Sequence, residues 1–289
     1  MSDFLKPLFG MSRPSANLPR RPGKPPLPEL QLEEFKLWYL AQRKVAVALT
    51  PDPQGSIGKT GSRLGGSAWL SEGENWPVDG RGIPLEFLAQ LDCDDCRGLC
   101  GYPAHGIIQF FIGRDDLFGA DFDDLLNGSA LIRWCDPEMA GALHEPPLLE
   151  ELGGEPFSDF SPFLKADVRT GGLALRSQPF EDWIDQSSKE AEVRTDDLYD
   201  RFDISALDRF VESQALERPR RHQSGGYPAF TQSDIRYKAE FADYDHVLLR
   251  LTSDETLQWG DVGEAVFMIR SADLAKGDFS SVVYSWDSC

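Results

Sequence analysis

Residues 106–122 (GIIQFFIGRDDLFGADF) and 263–279 (GEAVFMIRSADLAKGDF) align without a gap at a constant offset of 157, with seven identities in 17 positions. The identities are Gly106/Gly263, Phe110/Phe267, Ile112/Ile269, Asp116/Asp273, Leu117/Leu274, Asp121/Asp278 and Phe122/Phe279. Upstream, Leu88-Ala-Gln-Leu91 is similar to Leu248-Leu-Arg-Leu251, and Gly65-Gly66 corresponds in order to Gly225-Gly226. Such a period is too long for a solenoid, whose repeats run to about 50 residues. It predicts two related halves packed about a pseudo-twofold axis on one core. In each unit two apolar strands pair, and the following Asp caps a turn by accepting a backbone N–H. Leu and Phe then fold back on the sheet. Asp116, Asp121, Asp273 and Asp278 are accordingly read as structural.

The rest of the chain can be read around this repeat. Residues 1–28 hold seven prolines among several Arg and Lys, so a flexible or polyproline-like tail is expected. Leu32, Phe35 and Trp38 mark an amphipathic helix within 29–44, and Val45–Leu49 a short strand. Residues 84–92, 106–112, 247–251 and 265–269 read as strands. Leu198, Phe202, Leu207, Phe210 and Val211 can share one face of a helix over 196–218, capped by Asp196 or Asp197 and stopped by Pro219. Residues 136–195 are acidic, Pro-rich and weakly periodic, and read as a linker. The expected organisation is a tail over 1–28 and one domain over 29–289, its halves covering about 45–135 and 220–289 and joined by the acidic linker and helix.

Charge limits the partners. The chain carries 29 Lys plus Arg against 48 Asp plus Glu, a net of −19. Residues 1–50 hold eight basic and four acidic side chains, so residues 51–289 carry −23. A nucleic-acid binder gains affinity by neutralising phosphates, so this balance argues against one. It favours a cationic protein partner. No apolar run spans a membrane and no secretory leader is visible, so a cytoplasmic protein is expected.

Motifs for common chemistries fail one by one. Gly58-Lys59-Thr60 suggests a phosphate-binding loop, but Pro53 stands where its first glycine belongs and lacks the N–H donor. Leu125 interrupts the carboxylates of 121–124 where a calcium loop needs oxygen. No nucleophile elbow and no HExxH pair occur. Cys93, Cys96, Cys100 and His105 have the ligand types of a zinc site, though all four would crowd one loop. Zinc is the one cofactor these residue types suggest, and a loop of reduced thiols is the alternative.

Gly65-Gly66, Trp76-Pro77 and Pro84-Leu85-x-Phe87-Leu88-Ala89-Gln90-Leu91-Asp92 resemble the opening of the YwqG-like family. So does Gly225-Gly226-Tyr227-Pro228 with Gln232, Asp234 and Arg236; Trp259-Gly260-Asp261, Gly263, Asp273-Leu274, Asp278-Phe279-Ser280 and Cys289 resemble its close. The resemblance covers about 45–289. Ser67-Ala68-Trp69-Leu70, where the family places prolines, and the Cys-rich 93–101 depart from it. It implies an α+β fold, internally duplicated, with mainly antiparallel sheets and a few flanking helices. The family has no known activity, and some members sit beside bacterial toxin systems.

Gly225, Gly226, Tyr227, Gln232, Asp234, Arg236, Trp259 and Asp261 would line a polar-aromatic cleft for a small polar ligand or peptide. The competing reading makes Asp234, Arg236 and Asp261 fold-holding partners and Trp259 a core residue. The expected function is that of a non-enzymatic acidic binding module, an immunity-type protein against a basic toxin or effector. The alternative is an enzyme or ligand-binding protein using the 225–261 cleft.

Overall fold

The computed structural model describes residues 23–147, 159–184, 189–215 and 222–288. The expected tail lies outside these for residues 1–22. Leu27 is buried, and residues 25 and 27 exchange backbone hydrogen bonds with Asp203. The first helix, α1 (Glu29–Ala41), leads into β1 (Lys44–Asp52). One half of the sheet is formed by β2 (Arg63–Leu64), β4 (Glu86–Asp92), β5 (Ile107–Ile112) and β6 (Ala130–Cys135), with a small covering pair of β3 (Ala68–Ser71) and β7 (Gly141–His144). A short α2 (Ala166–Gly171) precedes β8 (Leu173–Asp182), and α3 (Lys189–Arg201) and α4 (Ser205–Ala215) follow. The other half holds β9 (His222–Gly225), β10 (His246–Thr252), β11 (Glu264–Ile269), α5 (Ser271–Leu274) and β12 (Val283–Asp287). The result is an α+β fold, mostly antiparallel sheet.

Ten strands form one sheet in the order β12-β11-β10-β9-β1-β8-β2-β4-β5-β6, every ladder antiparallel. The order mirrors itself about the central β1–β8 pair. Both second strands bulge at the same place: the register slips between Phe87 and Ala89 in β4, and between Val247 and Leu249 in β10. Trp134 stands opposite Ile108 in one half, and Trp286 opposite Ala265 in the other. Alternating residues of β5 and β11 (Ile108, Phe110, Ile112; Ala265, Phe267, Ile269) enter one shared core, as period-two side-chain alternation requires. The Phe110 and Phe267 rings meet 5.0 Å apart. The sheet therefore curls until its halves face each other, nearly closing a barrel. Tyr284 Oη and Trp286 Nε1 complete the approach by donating to the carbonyls of Phe118 and Leu117.

A second core holds the helices. Phe35 and Tyr39 of α1, one turn apart, pack with Ile184, Leu207 and Val211. Tyr39 donates to the Ile184 carbonyl at 2.7 Å. The single helix expected over 196–218 is two: α3 begins at Lys189, and the chain breaks after Arg201. Asp203 accepts the Ser205 N–H two residues on, an Asx turn that leads into α4. Pro219 lies outside the described residues. The expected linker also needs correction, because it contains β8, which pairs with β1 along the whole of that strand. No helix among the described residues is long and apolar enough to cross a membrane.

Candidate functional site

The glycine pair after β9 fixes the geometry of the region expected to bind. Gly225 and Gly226 both have φ near +72°, where side chains are strained. A Cβ on Gly226 would lie 2.3 Å from the Asp182 carboxylate. That closeness lets Asp182, at the end of β8, clamp the turn: it accepts the Tyr227 N–H at 2.9 Å and the Gln223 amide at 3.0 Å. Tyr227 is buried, and its hydroxyl donates to the Gln42 carbonyl. The Lys44 ammonium lies 4.3 Å from the centre of its ring, a cation–π contact. Burial pulls the Lys44 amine below its ordinary pKa, against the nearby charges of Glu190, Asp245 and Asp182. No described carboxylate comes within ion-pair distance of it.

Asp234 and Arg236 stand beside this turn. Asp234 caps the 3-10 turn Ile235–Tyr237 by accepting the Arg236 N–H at 2.9 Å, and also accepts the Lys189 N–H at 3.1 Å. The Arg236 guanidinium reaches Asp234 at 2.5 Å and both oxygens of Glu190 at 2.6 and 2.7 Å. Burial alone would weaken its hold on a proton; the bonds to Asp234 and Glu190 outweigh that and raise its pKa. The pair ties the 234–237 segment to the start of α3.

The eight expected residues do not surround one cleft. Gly225, Gly226, Tyr227, Asp234 and Arg236 gather near Lys44. Gln232 is held apart at the end of β12, its N–H on Asp287 and its amide on the Ser288 carbonyl. Trp259 is buried in the main core against Phe118 and Trp286. Asp261 is exposed. Their sequence spacing carries no information about this separation, because the turn between β10 and β11 leaves the sheet at a different end.

The sequence reading missed Lys44, Asp182 and His246. His246, the first residue of β10, occupies the position that Glu86 occupies in β4, each being one residue before the matched Phe87/Val247 pair. Its ring lies 5.3 Å from that of Tyr102, and its Nε2 is buried without a partner among the described residues. Burial drives its pKa down to about 4. Glu86, by contrast, is gripped by Arg169 at 3.0 and 2.5 Å, with Arg114 at 3.4 Å. A second histidine, His222, accepts the Thr252 N–H on Nδ1 at 3.2 Å, and its Nε2 lies 3.3 Å from the Asp254 carboxylate without a hydrogen bond among the described residues.

Nor do the zinc candidates converge. The Cys96 sulfur faces Ser224 Oγ at 3.9 Å, and the His105 ring packs edge-on against Trp134. No group of three or more potential ligands with metal-site geometry exists among the described residues. Burial pushes the Cys93 and Cys96 thiols up to about 12 and Cys135 to about 11, while Cys100 is exposed. Since the thiolate is the reactive form, a thiol reagent applied to the native protein is expected to modify Cys100 and spare Cys93, Cys96 and Cys135 until denaturant is added. Peptide mapping of the labelled sites checks this.

A family model for a domain of unknown function (DUF1963) matches residues 62–289. The chain belongs to that family. The match takes in β2 through β12, and so both arms of the mirrored sheet, while α1 and β1 precede it. The resemblance to YwqG-like proteins is consistent with a family of unknown function, and brings no activity to this DUF1963 domain. No curated protein matches the sequence.

Proposed function

We propose that this protein is a non-enzymatic, acidic recognition module that captures a basic protein partner in the cytoplasm, as an immunity-type protein neutralising a bacterial toxin or effector does. One observation carries the reading: among the described residues, the buried charges cancel. Arg63, Arg114, Arg236 and Arg250 are offset by Glu86, Asp182, Asp234 and Glu264. The acidic excess is therefore displayed outward, where it steers a cationic partner and speeds its capture. Two polar residues of the expected cleft support the same reading, since Asp234 and Arg236 are engaged in holding the chain together. We also infer that the two arms descend from one YwqG-like unit; the mirrored strand order, the matched bulges and the Trp134/Trp286 pair favour it.

Affinity capture from producing cells, at about 0.05 M and about 0.5 M salt, tests the function, because screening at the higher value removes attraction between exposed charges. A basic protein retained at low salt and released at high salt is expected. A partner that is acidic, or held equally at both, counts against the proposal. The second reading, a small-ligand site, draws on Lys44: a half-buried ammonium with no described carboxylate at ion-pair distance suits an anionic ligand.

A further inference from the structure

We propose that the loop 113–129, together with Trp286, is the docking face for a cationic polypeptide segment that carries a hydrophobic side chain. This rests on the reading above and gives it a place on the molecule. The aligned motifs differ in what they bury. Leu274 and Phe279 are 1% and 8% exposed, whereas their counterparts Leu117 and Phe122 are 41% and 42% exposed. The cause lies in the loops that cross between the arms. The β4–β5 connection, with Gly101, packs against Leu274. Its counterpart between β10 and β11 is three residues shorter, since the offset falls from 160 at Leu88/Leu248 to 157 at Gly106/Gly263. The described residues thus leave the first arm's Leu and Phe uncovered.

What surrounds them selects the occupant. The loop carries five aspartates and one arginine, and that arginine, Arg114, is buried against Glu86. Asp115 and Asp121 cap turns within the loop, accepting the Gly119 and Asp123 N–H groups. The carboxylates of Asp116 and Asp123 accept no hydrogen bond from the described residues, and these two residues adjoin Leu117 and Phe122 in sequence. The Phe122 ring lies 5.7 Å from Trp286, which rests on Phe118 at 5.3 Å. Phe118 holds φ +52°, unusual for a bulky residue. Beneath it, Trp259 Nε1 is buried without an acceptor. An apolar, aromatic floor on a loop that exposes aspartates and buries its one arginine fits an aromatic or aliphatic side chain flanked by Lys or Arg.

The probes are two heptapeptides of equal charge, six basic residues around a central Phe or a central Gly, titrated against the full-length protein by fluorescence anisotropy at low salt. The Phe peptide is expected to bind about tenfold more tightly, the worth of one apolar side chain leaving water. Phe122→Ser is expected to bring its affinity down to that of the Gly peptide without moving the thermal midpoint, since the side chain is exposed. Asp116→Asn with Asp123→Asn should weaken both peptides several-fold. Equal binding of the two peptides by the parent protein overturns the docking face, whether another part of the chain covers it or not, and leaves the charge reading standing. An advantage for Phe that persists in Phe122→Ser and Leu117→Ser also overturns it. Binding of neither peptide removes the charge reading as well.

Discussion

Arg236→Ala is expected to destabilise the protein by about 3–5 kcal/mol, the cost of breaking a buried ion pair from one side. Its guanidinium is the only group that satisfies Asp234 and Glu190 together among the described residues, at 2.5 to 2.7 Å. Removing it leaves the buried Asp234 carboxylate with backbone donors alone. The start of α3 would lose its tie to the segment 234–237. Arg236→Lys should recover only part of the loss, because an ammonium cannot bridge two carboxylates with a planar fork. Asp261→Ala, at an exposed turn, should change stability by no more than about 0.5 kcal/mol. Urea denaturation of the three variants measures this. An Arg236→Ala protein as stable as the parent, yet unable to hold a partner, would return Arg236 to the binding surface and reinstate the cleft.

How much of this was legible depends on the kind of signal. The paired strands β4–β5 and β10–β11 showed plainly, because each is a short apolar run bounded by Gly or Asp, and because one echoes the other. The strand β8 did not. Leu173–Asp182 has no β-branched residue and contains Pro179, which usually argues against a strand inside a sheet. The structure accommodates it because β8 pairs with β2 only at Leu173 and Ala174; Pro179 has a ladder on one side alone. The break between α3 and α4 was equally hidden, since a hydrophobic stripe persists across it and the only clue was Asp203 two residues before Ser205.

The candidate site was legible in its glycines and not in its charges. Two adjacent glycines at matching places in both arms point to a backbone that needs positive φ, and the structure shows that need at Gly65-Gly66 and Gly225-Gly226 alike. Which carboxylate would sit against the turn could not be read, because Asp182 arrives from a strand that carried no signal. Asp234 and Arg236 stand together in the structure as in the sequence, and the reading of them as fold-holding partners describes their bonds. Trp259 and Asp261, adjacent to a glycine and close in sequence, separate because one faces the shared core and the other solvent.

His246 should make stability depend on pH in a window of its own. Its folded-state pKa, pushed down by burial, is about 4, against about 6.5 for an unperturbed histidine in the unfolded chain. Between those values the unfolded chain binds a proton that the folded one refuses, so stability rises with pH there and falls as the medium is acidified. Over the full window the change is about 3 kcal/mol; below pH 4 this contribution is flat. Asp254 acts lower down. Burial would raise its carboxyl, but the nearby His222 imidazole and the backbone hydrogen bonds from Leu257 and Thr256 bring it to about 2, so its contribution is present above about pH 3.9 and fades as pH falls toward 2. Asp92 and Asp287, both raised by burial, tilt the curve the other way above the ordinary carboxylate range. Because those groups are common to parent and variant, the difference between the parent and His246→Asn isolates the imidazole. That difference, from urea unfolding at several pH values, should grow by about 3 kcal/mol in the parent's favour from pH 4 to about 6.5 and then level off. A difference that does not vary with pH would mean that the imidazole takes up its proton in the folded protein as readily as in the unfolded one, and that the pocket beside Tyr102 admits a charge.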